Sequence, residues 1–235
     1  MGPRCGVVPG GTRVMSLDSP VFAQRRQALV NKIAAAGVRD ARVLAALGAV
    51  PRHLFVPAAL AAQAYQDTSL PIGGGQTISQ PSIVAVMTAA LELSATDRVL
   101  EVGTGSGYQT AILSRLAARV FTIERLRSLA NDAHNRLEAL GCGNVVFRIA
   151  DGSFGWQEHA PYQAILVAAT APEVPRPFVE QLDVGGRLVL PIGTGDVQDL
   201  LLVRRTPEGV TTESLLPCRF VKLIGRYGHA VNSHG

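Results

Sequence analysis

The sequence predicts an α/β fold: a doubly wound, mostly parallel seven-stranded sheet with an antiparallel C-terminal edge and an N-terminal helical appendage. Three features predict it. Beyond about residue 97, short apolar runs alternate with helix-period stripes, the pattern of a parallel sheet with helices on both faces. After Pro191 the helical stripes stop and strand follows strand, which suits an antiparallel edge. Ahead of both, the apolar positions follow helical spacing.

Residues 1–18 are glycine-rich and aperiodic and read as a flexible tail, with Met15 as a second candidate start. Ser19-Pro20 reads as an N-cap followed by proline at the first helical position. Phe22, Leu29, Val30 and Ile33 share one face of that helix, and Gly37 ends it. Asp40 caps a second short helix carrying Val43, Leu44 and Leu47, with Gly48 as its stop. From Pro51 to Ser79 the chain reads as irregular. A third helix runs from about Pro81, with Ile83, Val84, Met87, Ala90 and Leu91 as its core stripe.

The seven strands are then expected at Val99-Leu100, Val120–Ile123, Val145–Ile149, Ala164–Ala169, Leu188–Leu190, Leu200–Arg204 and Val210–Leu216, with Phe220–Leu223 as an optional further strand. Between the second and third, Leu126, Leu129, Ala130, Ala133, Leu137 and Leu140 form a helical stripe that Gly141 stops. These signals divide the chain into a tail over 1–18, helices and covering loops over 19–80, a core over 81–228 and a tail over 229–235.

Composition narrows the function classes. The chain has 235 residues, enough to bury a core without disulfides or metal. Hydrophobic residues at 47% against 17% charged exclude a disordered protein. No apolar run reaches membrane-spanning length, and Met1-Gly-Pro-Arg-Cys-Gly lacks the apolar core of a signal peptide. Cys5, Cys142 and Cys218 form neither a metal-ligand pattern nor a disulfide framework, which points to a reducing cytoplasm. The net charge is +4, but the basic residues, almost all arginine, are scattered and aromatics are 5%. A nucleic-acid footprint would be clustered and interleaved with aromatics.

The chemistry centres on Val99-Leu-Glu101-Val-Gly103-Thr104-Gly105-Ser106-Gly107-Tyr108, where a first strand turns into a helix. Glycines there let a ligand approach the backbone, and the helix N-terminus offers N–H groups to a negative ligand group. In a dinucleotide fingerprint the third glycine comes one residue later. The spacing here, with Glu101 two residues before Gly103, is the E-x-G-x-G-x-G form of class I methyltransferases that use S-adenosyl-L-methionine. Taken alone, a tight strand–helix turn explains it as well. Glu124 ends the second strand, where an acidic residue would hold ribose hydroxyls, and Asp151-Gly152 follows the third, where adenine would lie. Singly these read as a surface carboxylate near Arg125 or Arg127 and a plain turn. Together they place three strand ends on one sheet edge. Upstream, Leu70-Pro-Ile-Gly-Gly-Gly-Gln76-Thr77-Ile78-Ser79-Gln-Pro81 is not core-forming, and Ser79 also suits the N-cap of the third helix.

The sequence resembles the protein-L-isoaspartate O-methyltransferases over about residues 22–228. The Gln-Thr-Ile-Ser-Gln-Pro segment beside Glu-Val-Gly-Thr-Gly-Ser-Gly-Tyr-Gln-Thr carries the resemblance, with support from Val50–Pro57, Asp151–Trp156, Val167–Pro175, Gln181–Gly193 and Arg219-Phe-Val221. It departs from the family's usual pattern at Gly74, Gln163 and Lys222. The resemblance implies a Rossmann-like methyltransferase fold, an active-site Ser79, and cofactor contacts from Gln76–Ser79, Glu101, Gly103–Gly107, Glu124 and Asp151-Gly152. It implies methyl transfer from S-adenosyl-L-methionine, leaving S-adenosyl-L-homocysteine, to the α-carboxylate of L-isoaspartyl residues in damaged proteins. The ester then collapses to a succinimide without the enzyme. The partner expected is an isoaspartyl protein or peptide, with no nucleic acid, membrane or metal, and a monomer is expected. The loops at 54–80 and 216–228 are the candidates for peptide recognition.

His53, His159 and His229 have no spacing suited to a metal or a Ser-His-Asp set, so core or surface roles are expected. Three other readings stay open. For a nucleic-acid amino-methyltransferase, Val167-Ala-Ala-Thr170-Ala-Pro172 lacks the acidic or amide residue and the aromatic stacker. A nicotinamide oxidoreductase is opposed by the early third glycine. A non-catalytic S-adenosyl-L-methionine-binding module is opposed by the retention of Ser79, Glu124 and Asp151.

Overall fold

The computed structural model describes residues 18–230. Seven strands form one sheet in the order β5-β4-β3-β6-β7-β8-β9. They are β3 (Arg98–Val102), β4 (Arg119–Glu124), β5 (Val145–Ile149), β6 (Tyr162–Val167), β7 (Leu182–Ile192), β8 (Gln198–Thr206) and β9 (Gly209–Cys218). Pairing is parallel from β5 through β7 and antiparallel for β7–β8 and β8–β9, as the sequence predicts. A separate hairpin joins β1 (Leu70–Gly73) to β2 (Gln76–Ile78).

The sheet buries both faces, and strand alternation decides which residue serves which. Val99, Val120, Ala164, Leu166 and Val189 face a core shared with the N-terminal helices. Leu100, Val102, Phe121, Ile123, Ile165 and Leu188 face a second core built on Trp156, Tyr162 and Phe178. Full burial of a side chain such as Leu100 or Ile165 contributes about 2 kcal/mol.

The helices are α1 (Pro20–Ala35), α2 (Ala41–Ala49), α3 (Pro81–Ala90), α4 (Tyr108–Leu116), α5 (Arg127–Ala139) and the short α6 (Arg176–Gln181). Ser19 and Asp40 cap α1 and α2 as expected, accepting from Phe22 N and from Arg42 and Val43 N. Gly48 does not stop α2. The helix runs through it to Ala49 and ends before Pro51, where no further N–H is available, and the Gly48 carbonyl accepts from Arg26 Nε at 2.7 Å. Arg26 also pairs with Asp18 at 2.7 Å, so the last residue assigned to the N-terminal tail is tied to α1. The rest of that tail, with Met15 and Cys5, lies outside the described residues, as do residues 231–235 of the C-terminal tail.

The region expected to be irregular, 51–79, contains two 3-10 turns, Arg52–Phe55 and Ala58–Gln63, besides the hairpin. Phe220–Leu223, expected as a strand, makes only one bridge of the sheet type, between Thr170 and Lys222. The chain there bends across the sheet's carboxyl edge. At the far side of the sheet, β9 is an edge strand whose first half, Gly209–Ser214, is exposed. Among the described residues no helix is long and apolar enough to cross a membrane.

Candidate active site

The strand order reverses at β3 and β6, and the glycine turn after β3 opens at that point. Ligands of open α/β sheets lie at such a crevice, outside the carboxyl ends of the strands. Gly107 leads into α4 with φ +89, and an added Cβ would meet Leu137 Cδ1 at 3.1 Å and Ala133 Cβ at 3.2 Å. Glycine there lets the N-terminus of α4 sit against α5. At Gly152 a Cβ would lie 2.6 Å from Val102 Cγ1, so the turn after β5 closes directly on the end of β3.

The crevice holds a cleft of about 790 Å³ walled by Gln76–Ser79, Gly103–Ser106, Glu124 and Gly152. Most residues expected from the sequence therefore meet in one place. Glu124 is buried. Its Oε2 accepts from Gly105 N and its Oε1 from Leu126 N, both at 2.9 Å, so its partners are backbone N–H groups rather than Arg125 or Arg127.

Glu101, Gly107 and Asp151 stand behind the wall, not in it. Glu101 is fully buried beneath the glycine turn, where its Oε2 accepts from Thr110 Oγ1 at 2.5 Å and from Thr122 Oγ1 at 2.6 Å. The Thr122 hydroxyl also lies 2.6 Å from Thr104 Oγ1, which reaches the cleft. Glu101 Oε1 is buried with no hydrogen-bond partner among the described residues. Burial pushes this carboxyl up to about 7, against the two threonine hydrogen bonds, which lower it. Asp151 accepts from Ser153 N through Oδ1 and from Arg226 N through Oδ2, each at 2.9 Å.

Ser79 is not the N-cap of α3. Gln80 takes that position without a side-chain bond, and the free N–H of Ser82 is capped at 2.9 Å by Asp67 from the preceding loop. The serine stands just outside the helix, half-buried, on a wall common to two hollows. Behind it is the cleft. In front is a groove of about 880 Å³ between the β2–α3 junction and the Pro217–Val221 segment. Thr77, Ser79, Ala168 and Val221 border both.

Several wall residues carry no sequence signal of their own. Tyr108, under the Arg52 guanidinium at 5.0 Å, lines the cleft, and burial pushes its hydroxyl up to about 12. Arg52 itself is fully buried, donates to the carbonyls of Ala64 and Thr68, and is lowered by burial. Ala168 and Ala169 line the cleft only because they follow the end of β6. Lys222, Leu223 and Ile224 enter from the C-terminal segment, within the stretch 216–228 expected to meet the peptide.

The three histidines lie off the site. His53 stacks on Phe22 at 4.1 Å with Nδ1 2.7 Å from Tyr65 Oη. His159 stacks on Phe121 at 4.5 Å. His229 closes the C-terminal loop through its backbone, donating to Leu223 O at 2.7 Å. Gln163, a departure from the family pattern, sits at the start of β6, accepting from Arg98 N and donating to Asp183, at the opposite end of the sheet from the cleft.

Residues 24–228 match the family profile described as protein-L-isoaspartate(D-aspartate) O-methyltransferase (PCMT). The chain belongs to the protein-L-isoaspartate(D-aspartate) O-methyltransferase family. Relatives agree along nearly the whole length. The protein-L-isoaspartate O-methyltransferase of Syntrophus aciditrophicus is 55% identical, over 87% of this chain and 95% of its own. That of Desulfosudis oleivorans is 52% identical over 93% and 100%. A solved protein-L-isoaspartate O-methyltransferase superposes with TM-score 0.78 at 31% identity, over 86% of this chain and 67% of that one. A Plasmodium falciparum structure, crystallised with S-adenosyl-L-homocysteine, shares the fold at TM-score 0.73 and 24% identity, over 85% and 98%.

Proposed function

We propose that this family member repairs isoaspartyl damage by holding S-adenosyl-L-methionine in the cleft and the isoaspartyl residue in the groove, with Ser79 between them. The observation that carries this reading is the shared wall: Thr77, Ser79, Ala168 and Val221 border both hollows, so a methyl group and a carboxylate can meet there without either ligand leaving its seat.

The residues of the cleft fit the cofactor. Its wall combines backbone of the glycine turn with a few polar side chains among apolar ones, the make-up of a small-molecule site. Gly105, where an added Cβ would meet only Ile72 Cδ1 at 3.4 Å, leaves backbone open to close approach. Glu101 Oε2 is linked through the Thr122 hydroxyl to Thr104, which lines the cleft, so a carboxyl stands one threonine layer behind the wall. Glu124 serves the ribose hydroxyls, Gly152 the adenine side, and Gln76–Ile78 cover the methionine end.

When bound, the cofactor would supply a sulfonium methyl group whose carbon a carboxylate oxygen can attack directly, the C–S bond breaking to leave the neutral thioether S-adenosyl-L-homocysteine. A carboxylate is already ionised near neutral pH, so the protein needs no strong base. Ser79 donates a hydrogen bond that aims one carboxylate oxygen, and orientation of this kind supplies much of the barrier lowering. It forms no covalent intermediate. Ala168 and Val221 make the meeting point apolar and exclude water from it. Arg219, exposed at the groove, adds a cation beside the entering carboxylate. Backbone hydrogen bonds along the groove select the extended peptide. The product ester leaves the enzyme and closes to the succinimide unaided, the neighbouring backbone amide nitrogen attacking the ester carbonyl and expelling methanol. We further take the enzyme to be a cytoplasmic monomer acting on polypeptide and not on nucleic acid or membrane; the scattering of the basic residues supports the exclusion of nucleic acid.

The test is methyl transfer from labelled S-adenosyl-L-methionine to a synthetic isoaspartyl peptide, with the aspartyl peptide as control. Base-labile label on the isoaspartyl peptide alone is expected. Equal labelling of both, or of neither, would sink the reading.

A further inference from the structure

The segment after β9 crosses the mouth of the cleft as a strap. Val221–Ile224 form part of the cleft wall, and the strap is pinned on both sides of it. On the groove side, Phe220 N donates to Gln198 Oε1, Thr170 N donates to Val221 O, and Leu223 N donates to Thr170 O, each at 2.8 Å. On the other side the anchors come from the turn after β5. Arg226 N donates to Asp151 Oδ2 at 2.9 Å, and Tyr227 N donates to Ser153 Oγ at 3.0 Å. Phe154 and Tyr227 meet edge to face at 5.2 Å across the same junction. Beyond it the strap closes on itself, with Gly225 N donating to His229 O.

The contact between Asp151 and the strap is built for closeness. A Cβ at Gly225 would lie 2.0 Å from Asp151 Oδ1 and 2.5 Å from its Cγ, so only glycine admits the carboxylate there. That carboxylate does not reach the cleft wall, while Gly152, the next residue, does. Its oxygens are engaged one on the turn and one on the strap. The site pattern in the sequence assigns Asp151 to the cofactor, but the geometry points it at the chain that covers the cofactor.

We propose that Asp151 is a positioning residue: it acts through the strap, clamping Val221–Ile224 over the cleft, and governs how long a ligand stays there. The proposal deepens the functional reading above and rests on the cleft being the S-adenosyl-L-methionine site. A charge-assisted hydrogen bond from a carboxylate to a backbone N–H is among the stronger single anchors available to a loop. Asp151 also holds its own turn through Ser153 N, so one side chain couples the adenine side of the cleft to its cover.

Three variants separate a clamp from a direct cofactor contact. Asp151→Asn leaves a single acceptor for two N–H groups. Gly225→Ala pushes the carboxylate off the strap from the other side. Ser153→Ala removes the neighbouring Tyr227 anchor and folds with the least disturbance. Hydrogen–deuterium exchange of residues 220–228 in the ligand-free protein is read against that of β4 and β6, together with the dissociation rate of S-adenosyl-L-homocysteine. For Asp151→Asn and Gly225→Ala the strap amides are expected to exchange about tenfold faster, the scale of one lost hydrogen bond to a charged group, while the sheet is unchanged. Ligand dissociation should accelerate in the same proportion, the double variant should be no worse than either single one, and Ser153→Ala should show a smaller effect of the same kind. Unchanged strap exchange in all three variants overturns the clamp. So does ligand loss confined to Asp151→Asn, which would make Asp151 a direct contact. Neither readout uses an isoaspartyl peptide, so failure of methyl transfer to that peptide would overturn the substrate and leave the clamp standing.

Discussion

Glu124 Oε2 accepts a 2.9 Å hydrogen bond from Gly105 N, which ties the end of β4 to the glycine turn after β3. The same carboxylate braces Leu126 N at the start of the next helix. A residue expected to hold a ligand is thus also a brace between two strand ends, and its ligand-facing lone pairs are held in place before anything binds.

Replacing Glu124 by Gln should therefore damage both roles. One of its two backbone acceptors becomes a donor, and the ligand loses a charged partner. The dissociation constant of S-adenosyl-L-homocysteine, measured by titration calorimetry, should rise by about tenfold to a hundredfold. An unchanged constant would remove Glu124 from the cofactor site.

Ser79→Ala should separate binding from turnover. The hydroxyl caps no helix, so its loss leaves α3 intact, with Asp67 still on Ser82. We expect kcat to fall by about ten- to a hundredfold while cofactor affinity changes less than about threefold, as for an interaction used chiefly in the transition state. Steady-state kinetics with varied peptide and varied cofactor would show it. Intact-mass spectrometry should find no adduct on the wild-type serine during turnover.

The fully buried Glu101 gives stability a pH dependence of defined sign. Burial raises its carboxyl from 4.5 to about 7. Between those values the unfolded chain has released the proton and the folded one retains it, so stability falls as pH rises across that window. The contribution, roughly 3 kcal/mol, is present below pH 4.5 and lost above about 7. Glu101→Gln should keep the buried acceptor for Thr110 and Thr122 without a titrating group. Its Tm should fall less than the wild type's between pH 5 and pH 8. Parallel Tm profiles for the two proteins would refute the assignment.

At Gly107 the backbone is left-handed and faces α5. Gly107→Ala should cost about 1–2 kcal/mol from the conformation alone, before the contacts with Leu137 and Ala133 are counted. In a chain of this length that lowers Tm by about 5 °C, readable by calorimetry. An unchanged Tm would mean that the turn relaxes without cost.

Much of this arrangement was legible in the sequence because it depends on local pattern. Strand-period runs located β3 to β9, and the residues that follow them, Gly103, Glu124 and Gly152, were found by counting strand ends. Glu101 is expected among the cofactor contacts from the motif alone, but it lies within β3 and its carboxylate turns to Thr110 and Thr122, while Val102 lines the cleft. What escaped depends on partners distant in sequence. The capping of α3 by Asp67 from 15 residues away freed Ser79 from a role its position suggested. The β1–β2 hairpin has only three residue pairs and a glycine turn, too little periodic signal to separate from loop. Phe220–Leu223 alternates like a strand, but Thr170 offers it a single bridge, and the chain continues as a strap. Gly48 read as a stop because glycine usually is one, and here Pro51 set the boundary instead.

The exposed edge of the sheet bears on the company this enzyme keeps. Damaged polypeptides are often partly unfolded, with backbone groups unpaired and ready to extend any strand they meet. The outer half of β9 is Val210-Thr-Thr-Glu213-Ser, polar but for one residue, and Pro217 removes an N–H further along. Charged residues and proline on an edge discourage pairing with a second chain. With the groove as the proposed seat for an extended peptide, such an edge would keep the enzyme from gluing itself to its clients along its flank.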